Sequence, residues 1–407
     1  MSTFTPDHNA MRTWRHQIHQ NPELGFEEHN TSQLVAGLLR EWGYEVHTGI
    51  AETGVVGKLV FGTGNGPRLG LRADMDALPL QESTGLPWQS QIPGKMHACG
   101  HDGHTAILLG AAQAIAERHA AGHNFGNGIL HLIFQPAEEL GGGGGALRMI
   151  EEGLFDRFPC DAIFGLHNYP GVPVGRCEFR SGPFMCSSDK VRITFHGRGG
   201  HGGLPQMSAD PTLALAATVC GLQSIIGRNL DPLDTGVISV GQLHAGDTYN
   251  IIPDTGELEL SVRALQPAAR KRIHERITEL CNHQASAYSC TAEIEYEMGY
   301  PVLHNDAAQA ELIKAIATEV FGADQVDSQA SPLSASEDFA YMLEQVPGCY
   351  VLIGNGDNGY ESGQRLGPCS VHNPHYDFND ECLPLGATLW CSLTEQYFKN
   401  PAFSDKA

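Results

Sequence analysis

Strand and helix signals alternate along the first part of this chain, and this alternation constrains the fold more than any other feature. A helical stripe of apolar residues covers 31–42, with Thr31 or Asn30 as a candidate N-cap and Gly43 as a stop signal. Further signals predict strands at 55–61, 69–73, 129–134 and 162–167, and helices at 105–118 and 146–152. Such alternation predicts an α/β fold, in which a layered domain contains a mostly parallel sheet.

The order of elements changes near residue 187. Strands are predicted at 190–195, 236–243, 257–263 and 292–296, and helices at 211–227 and 267–287. The resulting order, β-α-β-β-α-β, is that of ferredoxin-like units. We therefore expect a separate insert domain over residues 187–298, which is long enough to fold around its own core.

The α/β pattern returns after Pro301. Helices are predicted at 306–321, 335–345 and 383–398, with a strand at 349–353. The simplest account is one catalytic domain made of residues 1–186 and 299–407, interrupted by the insert. The sequence has no fixed-period repeat that would favour a solenoid.

Composition excludes several classes of partner. The net charge of −22 disfavours binding to nucleic acid and to anionic membranes, because like charges repel. No apolar stretch approaches the roughly 20 residues that span a bilayer, and the N-terminus lacks the pattern of a secretory signal. Eleven scattered cysteines suit reduced thiols better than a disulfide framework, so we expect a cytoplasmic protein.

The densest group of metal-ligand residue types is the stretch His97–His104, His-Ala-Cys-Gly-His-Asp-Gly-His. Cys99 and His101 are separated by one glycine, which permits the sharp turn that would bring both donors to one small volume. A thiolate and imidazoles together are typical ligands of a transition metal. Most of the remaining cysteines are better explained as small core side chains.

Carboxylates and a histidine follow other predicted strands. Glu138 and Glu139 come after the strand at 129–134, and His167 closes the strand at 162–167. In α/β folds, the carboxyl ends of strands are where sites are usually built. If the segment is extended, the two adjacent glutamates point in different directions, so one could bind metal and the other face the substrate. Taken alone, the pair would more often be an acidic helix start, and His167 a loop histidine.

Two further segments carry acids and histidines without a strong core pattern. Asp74 and Asp76 end the predicted strand at 69–73, where they could be solvated loop acids or strand-end caps. Asp76 could instead orient a metal-bound histidine without binding the metal itself. His372 begins the segment His-Asn-Pro-His-Tyr-Asp-Phe-Asn-Asp, which in isolation is an ordinary polar loop.

The insert has its own polar positions. His201 stands among glycines in Gly197–Gly203, which matches neither a P-loop nor a dinucleotide-binding turn. Asn250 lies in the same region, and Arg263 is either a surface charge or a clamp for a carboxylate.

Five segments in this order resemble the co-catalytic metallopeptidase/amidohydrolase family, which includes hippurate hydrolase, N-acyl-amino-acid amidohydrolases and auxin-conjugate hydrolases. The segments begin at Arg72, Met96, Gln135, Gly197 and His372, and the resemblance covers nearly the whole chain. Two features depart from the family pattern. Gln206 stands where related sequences often have histidine, and the glycine run at 141–145 is longer than usual.

The resemblance implies a site and a reaction. It implies two divalent metal ions per subunit, either Zn, Mn, Co or Ni, held by Cys99, His101, Glu139, His167 and His372. Glu138 is implied as the general base. Asp76 is predicted as a further catalytic residue, because it could orient a metal-bound histidine. His201 and Asn250 are implied to reach the active site of the other subunit of a homodimer, where His201 would stabilise the oxyanion, and Arg263 to bind the substrate carboxylate.

The function implied is metal-dependent hydrolysis of the amide bond of N-acyl amino acids, such as hippurate-like or acetyl-amino-acid substrates. A dipeptidase or carboxypeptidase of the same family is the alternative. A hydrolase with Cys99 as nucleophile, and a metal-binding protein without catalysis, are two less favoured hypotheses. The sequence does not choose the acyl group, the amino acid released or the metal.

Overall fold

The computed structural model describes residues 4–357 and 369–400, which form two compact units. The first unit comprises Met1–Gly182, His304–Ser331 and Tyr341–Ala407, and the second comprises Pro183–Leu303 and Pro332–Ala340. No helix of the described residues is long and apolar enough to cross a membrane.

The α-helices are α1 (His8–Gln20), α2 (His29–Glu41), α3 (His101–Ala120), α4 (Gly144–Glu151), α5 (Leu154–Arg157), α6 (Pro211–Asn229), α7 (Pro267–Ala287), α8 (Ala307–Phe321), α9 (Phe339–Gln345) and α10 (Cys382–Lys399). The strands are β1 (Glu45–Ile50), β2 (Gly54–Phe61), β3 (Arg68–Asp74), β4 (Gly128–Gln135), β5 (Ala162–Tyr169), β6 (Cys177–Glu178), β7 (Gly182–Met185), β8 (Ser187–His196), β9 (Gly200–His201), β10 (Gly236–Ala245), β11 (Ile251–Ile252), β12 (Thr255–Ala264), β13 (Thr291–Met298), β14 (Leu303–Asn305), β15 (Val326–Asp327) and β16 (Gly348–Gly354).

An eight-stranded sheet organises the first unit, in the order β1-β2-β4-β3-β5-β16-β6-β15. Strands β4, β3, β5 and β16 are parallel neighbours, whereas β1 and β2 extend the sheet in the antiparallel sense. The central strands are buried along almost their entire length, as expected for parallel strands covered on both faces. The predicted α/β fold with a mostly parallel sheet is confirmed.

Helix α3 lies at the centre of the first unit. It contacts α1, α10 and β3, and fifteen of its twenty residues are buried. Small side chains such as Ala111 and Ala112 allow this close approach. Gly110 is in close contact with Met11, and a Cβ added at position 110 would lie 2.2 Å from the Met11 sulfur. Helix α3 is therefore closely packed against its neighbours.

The second unit contains an antiparallel sheet in the order β10-β12-β8-β13. Its elements follow the chain as β8-α6-β10-β12-α7-β13, and α6 and α7 contact each other. Residues on β8 alternate between buried and more exposed positions, so one face of this sheet packs into a core with the two helices. The ferredoxin-like classification stays a prediction.

Several element boundaries differ from those expected. Helix α2 begins at His29, with Glu28 rather than Thr31 or Asn30 at the N-cap position. The two glutamates lie in a 3₁₀ turn, Glu138–Leu140, and the extended segment expected there is wrong. Helix α1 was not predicted at all, because two of its four buried residues, Arg15 and His19, are polar and hide the apolar periodicity.

Candidate active site

The carboxyl ends of neighbouring parallel strands place the candidate ligands at one edge of the main sheet. Strand β3 ends at Asp74, β4 leads into the turn with Glu138 and Glu139, and His167 lies near the end of β5. Because β4, β3 and β5 are adjacent and parallel, these residues lie at the same edge of the sheet. This is the edge where open α/β sheets usually bind ligands.

The turn between Cys99 and His101 depends on Gly100. Its φ of 103° is left-handed, and an added Cβ would lie 2.2 Å from Asn168 Oδ1 and 2.6 Å from the Tyr376 hydroxyl. A side chain here would meet both strain and steric overlap, so only glycine allows the turn. The turn places the thiol immediately before α3 and the imidazole in its first residue.

Five of the predicted site residues come together as two groups of metal-ligand atoms. Cys99, His101 and His167 form one group, in which the ligand atoms all lie within 4.8 Å of one another. Cys99, Glu139 and His372 form a second group under the same limit. Cys99 belongs to both, so the two groups are contiguous. The Cys99 sulfur lies 3.3 Å from His167 Nε2, and Glu139 Oε1 lies 3.0 Å from His372 Nε2.

Asp76 connects two of these residues. One carboxylate oxygen lies 3.1 Å from His101 Nδ1, and the other accepts a hydrogen bond of 2.9 Å from the Glu139 backbone N–H. The first contact assigns the proton to Nδ1 and leaves Nε2 as the free ligand atom of His101. Likewise, His167 Nδ1 lies 2.6 Å from the backbone carbonyl of Asn168, which leaves its Nε2 towards Cys99.

The position of His372 is set through the backbone. Its N–H donates to the carbonyl of Ala98 at 2.7 Å, so this loop is attached directly beside Cys99. His372 has a φ of 61°, which is uncommon for a residue with a side chain. Unfavourable backbone conformations of this kind often occur at functional sites.

The electrostatics of the site favour a bound cation. Burial raises the pKa of Cys99 well above its ordinary value, and the carboxylates of Glu139 and Glu138 raise it further. Burial by itself lowers the pKa of His101, but Asp74 and Asp76 outweigh this effect and raise the pKa to about 10. These carboxylates favour positive charge, and a divalent cation would satisfy them together.

The donor set fits bound metal. His101 Nε2 is buried and has no hydrogen-bond partner among the described residues. Buried polar atoms are normally paired, so this atom is suited to bind a metal ion. Thiolate, imidazole and carboxylate together are typical ligands for zinc and neighbouring transition metals.

Sequence reasoning missed a buried polar network behind the ligands. His104 Nδ1 lies 2.7 Å from Asp74 Oδ1, and Asn168 donates its side-chain N–H to the Tyr376 hydroxyl at 2.7 Å. The Asn168 backbone N–H also donates to His104 Nε2 at 3.0 Å. A signal for His104 was present, because it lies three residues after His101 on α3 and therefore on the same helix face.

The remaining candidate residues, His201, Asn250 and Arg263, belong to the second unit. His201 on β9 pairs with Ile251, and the Asn250 carbonyl accepts from the Gly202 N–H at 2.9 Å, so His201 and Asn250 are neighbours. Arg263 lies near the C-terminal end of β12, where it donates to the Ser336 hydroxyl at 2.7 Å. The second unit therefore brings two of its three candidates together.

The two departures from the family pattern have different surroundings. Gln206 is exposed in a 3₁₀ turn of the second unit, Pro205–Met207. The glycine run supports the turn after Glu139, because a Cβ on Gly145 would lie 1.8 Å from the Pro136 carbonyl oxygen.

Comparison with known proteins agrees with this geometry. The family model described as "Peptidase family M20/M25/M40" matches residues 70–396. Hippurate hydrolase from Campylobacter jejuni is 43% identical over 385 residues, covering 95% of this chain and 96% of that enzyme. Thermostable carboxypeptidase 1 from Saccharolobus solfataricus is 37% identical and covers 94% of each chain. A Bacillus subtilis structure described as a dinuclear metal binding peptidase from the M20 family superposes with a TM-score of 0.82, at 31% identity and coverage of 97% and 98%. This chain belongs to peptidase family M20/M25/M40.

Proposed function

We propose that this chain is a metal-dependent amidohydrolase that cleaves the amide bond of N-acyl amino acids and releases a carboxylate and a free amino acid. The observation that carries the proposal is the pair of ligand groups sharing Cys99, with Glu138 beside them. Similarity to hippurate hydrolase over nearly the whole chain supports the substrate class.

Two divalent ions, either Zn, Mn, Co or Ni, would be held by the two groups. Cys99, His101 and His167 would hold one ion, and Cys99, Glu139 and His372 the other. When bound, such ions make water acidic and polarise a carbonyl group, which are the two requirements for attack on an unreactive amide.

Glu138 is the proposed general base. It is 7% exposed, and its Oε2 lies 3.9 Å from His101 Nε2, so it borders the ligand groups. Its carboxylate would accept a proton from the attacking water and then deliver it to the nitrogen of the departing amine. Asp76 acts indirectly, by keeping His101 and the Glu139 backbone in position.

Residues 187–298 are the proposed dimerisation and lid domain, and residues 1–186 and 299–407 the proposed catalytic domain. In the second unit, the Gly203 N–H donates to His201 Nδ1 at 2.9 Å, which leaves Nε2 to donate to a substrate oxyanion. Asn250 would assist this contact. Arg263 donates from Nη1 to the Ser336 hydroxyl at 2.7 Å, and its planar fork is the proposed binder of the substrate carboxylate.

A homodimer, or an oligomer built from dimers, is part of the proposal. Strand β10 is an edge strand of its sheet, and edge strands are available for pairing with another chain. Exposed apolar side chains of the second unit are Leu204, Met207, Leu213, Leu233, Val237, Leu243, Tyr249, Ile251 and Met298. Such side chains favour an interface between copies of this chain.

Mixing two inactive variants tests the shared site. Glu138→Gln and His201→Ala dimers, once their subunits exchange, should recover part of the activity if His201 serves the site of its partner. No recovery after demonstrated exchange would contradict that arrangement.

A carboxypeptidase or dipeptidase is the second candidate, and the 37% identity to thermostable carboxypeptidase 1 supports it. Turnover of N-benzoyl-glycine, N-acetyl amino acids and dipeptides by apo-protein reloaded with single metals distinguishes the two. Faster cleavage of dipeptides than of every acyl amino acid would favour the second candidate.

The hypothesis of a cysteine nucleophile is disfavoured, because burial and nearby carboxylates raise the pKa of Cys99 and a protonated thiol is a weak nucleophile. The hydrolysis assay repeated in chelator tests this directly. We expect activity to be lost and then restored by divalent metal, whereas full activity in chelator with inactivation by iodoacetamide would overturn the proposed function. Bound metal without hydrolysis of any substrate would identify a non-catalytic protein.

A cytoplasmic location completes the proposal. All eleven cysteines are free thiols, which supports a reducing compartment.

A further inference from the structure

We propose that Glu28 is a positioning residue. It holds the turn carrying Glu138 and Glu139 in the conformation that directs these two side chains towards the other proposed metal ligands. This inference rests on the proposed function. Glu28 lies 109 residues before Ala137, the residue that it contacts in this turn, and belongs to none of the ligand groups.

The side chain of Glu28 contacts residues outside its own helix. Glu28 is at the N-cap position of α2, where the short side chains of Ser, Thr, Asp and Asn commonly accept hydrogen bonds from the first helical N–H groups. It forms no such cap. Instead, its Oε1 accepts from the Ala137 backbone N–H at 2.8 Å, and its Oε2 accepts from the Thr53 hydroxyl at 2.6 Å.

Burial makes this arrangement costly. Glu28 is 0% exposed, and its two side-chain hydrogen bonds are with uncharged groups, the Ala137 N–H and the Thr53 hydroxyl. A buried carboxylate without a cation is normally avoided in proteins. Its two hydrogen bonds are therefore the contacts that compensate for its loss of water, and one of them goes to the active-site turn.

Ala137 is the residue in this turn that requires support. Its φ of 54° and ψ of 43° are left-handed, a conformation that residues with a Cβ rarely adopt. It directly precedes the 3₁₀ turn Glu138–Leu140. The Ala137 carbonyl accepts from the Gly145 N–H at 2.9 Å, so the strained peptide is held from both sides.

Two carboxylates thus bind two N–H groups of one short turn. Glu28 binds the N–H of Ala137, and Asp76 binds that of Glu139 at 2.9 Å. The residue between them is Glu138, the proposed base. Loss of the Glu28 contact would let Ala137 relax to a right-handed or extended conformation, which would turn both glutamates away from their present directions.

Substitutions at positions 28 and 137 test the proposal through metal affinity as well as activity. Glutamine keeps an acceptor for the Ala137 N–H and a donor for the Thr53 oxygen, so Glu28→Gln should bind Mn²⁺ or Zn²⁺ within about threefold of the parent. Glu28→Ala removes both, and we expect affinity to fall by roughly 10–100-fold, with a lower kcat and little change in KM.

Glycine at position 137 provides the decisive comparison, because glycine adopts positive φ without strain. Adding Ala137→Gly to Glu28→Ala should restore metal affinity at least in part, which a general loss of stability would not do. Glu27→Ala is the matched control, since the neighbouring glutamate pairs with Lys95 at the surface.

Wild-type affinity in folded Glu28→Ala would overturn the inference. If Glu28→Ala fails to fold, the inference is tested with Glu28→Gln and with the double variant Glu28→Ala/Ala137→Gly. Equal loss of metal affinity in these two proteins would also overturn the inference. The proposed function fails separately, because it is contradicted when the unaltered protein binds no metal or hydrolyses no acyl amino acid.

Discussion

Asp76 Oδ1 and His101 Nδ1 lie 3.1 Å apart in a fully buried contact, while the other oxygen of Asp76 holds the Glu139 backbone N–H. One carboxylate therefore orients a candidate ligand from the start of α3 and a second from the turn after β4. The Asp76 carboxylate thus links two residues that are 38 positions apart in the chain, His101 and Glu139.

Asp76→Asn should weaken metal binding by roughly 10–100-fold. Asparagine has one acceptor oxygen and one N–H donor group, so it can accept from either His101 or Glu139 but not from both. Calorimetric titration of the apo-protein with Zn²⁺ or Mn²⁺ measures the change. Asp156→Asn, at an exposed acid of α5, is the control and should bind metal normally.

Glu138→Gln should keep its metal and lose turnover. Glutamine preserves the shape of the side chain but cannot take a proton from water, so kcat should fall by about 10²–10⁴-fold. Metal content by mass spectrometry and kcat on N-benzoyl-glycine are measured on the same preparation. A variant that turns over at nearly the parental rate would show that Glu138 is not the base.

The Cys99→Ala variant should bind a different number of metal ions per subunit from the His167→Ala and His372→Ala variants. Because Cys99 is common to both ligand groups, Cys99→Ala should lower the affinity for both ions, whereas His167→Ala and His372→Ala should each weaken mainly one. Titration with Zn²⁺ resolves the number of tight sites. Equal behaviour of all three variants, with one site lost in each, would contradict two groups joined at Cys99.

His131 should make the protein less stable in acid, independently of the metal site. Burial, followed by the charges of Lys58 and Arg68, lowers the pKa of His131 from 6.5 to about 4. The unfolded chain therefore binds more protons than the folded chain between these values, so the stability contributed by neutral His131 is lost as the pH falls from 6.5 towards 4.

The expected size of this effect is about 2 kcal/mol between pH 7 and pH 5. Urea unfolding of the apo-protein at both values, compared with His131→Asn, measures it. The variant should lose less stability on acidification than the parent. His119→Asn provides a second histidine-to-asparagine substitution for comparison, and equal acid sensitivity of parent and His131→Asn would contradict the lowered pKa.

Much of the fold follows from local patterns. Helix α7, Pro267–Ala287, has the limits that the periodicity predicts, and β4 extends the predicted strand by one residue at each end. These elements were predictable because burial of one helix face or of a whole strand leaves a regular apolar pattern. Strand β1 was not predicted, since most of its residues are exposed or half-buried and leave no such pattern.

The residue types and their order in the chain, from Cys99 to His372, determined the family resemblance and the expected ligand set. Only the tertiary structure decided that Cys99 is shared by two groups, that Asp76 serves two ligands, and that Glu28 contacts Ala137. The reason is that hydrogen bonds between side chains and distant backbone groups leave no period in the sequence. They depend on which strands become neighbours, and on a left-handed alanine that no local preference predicts.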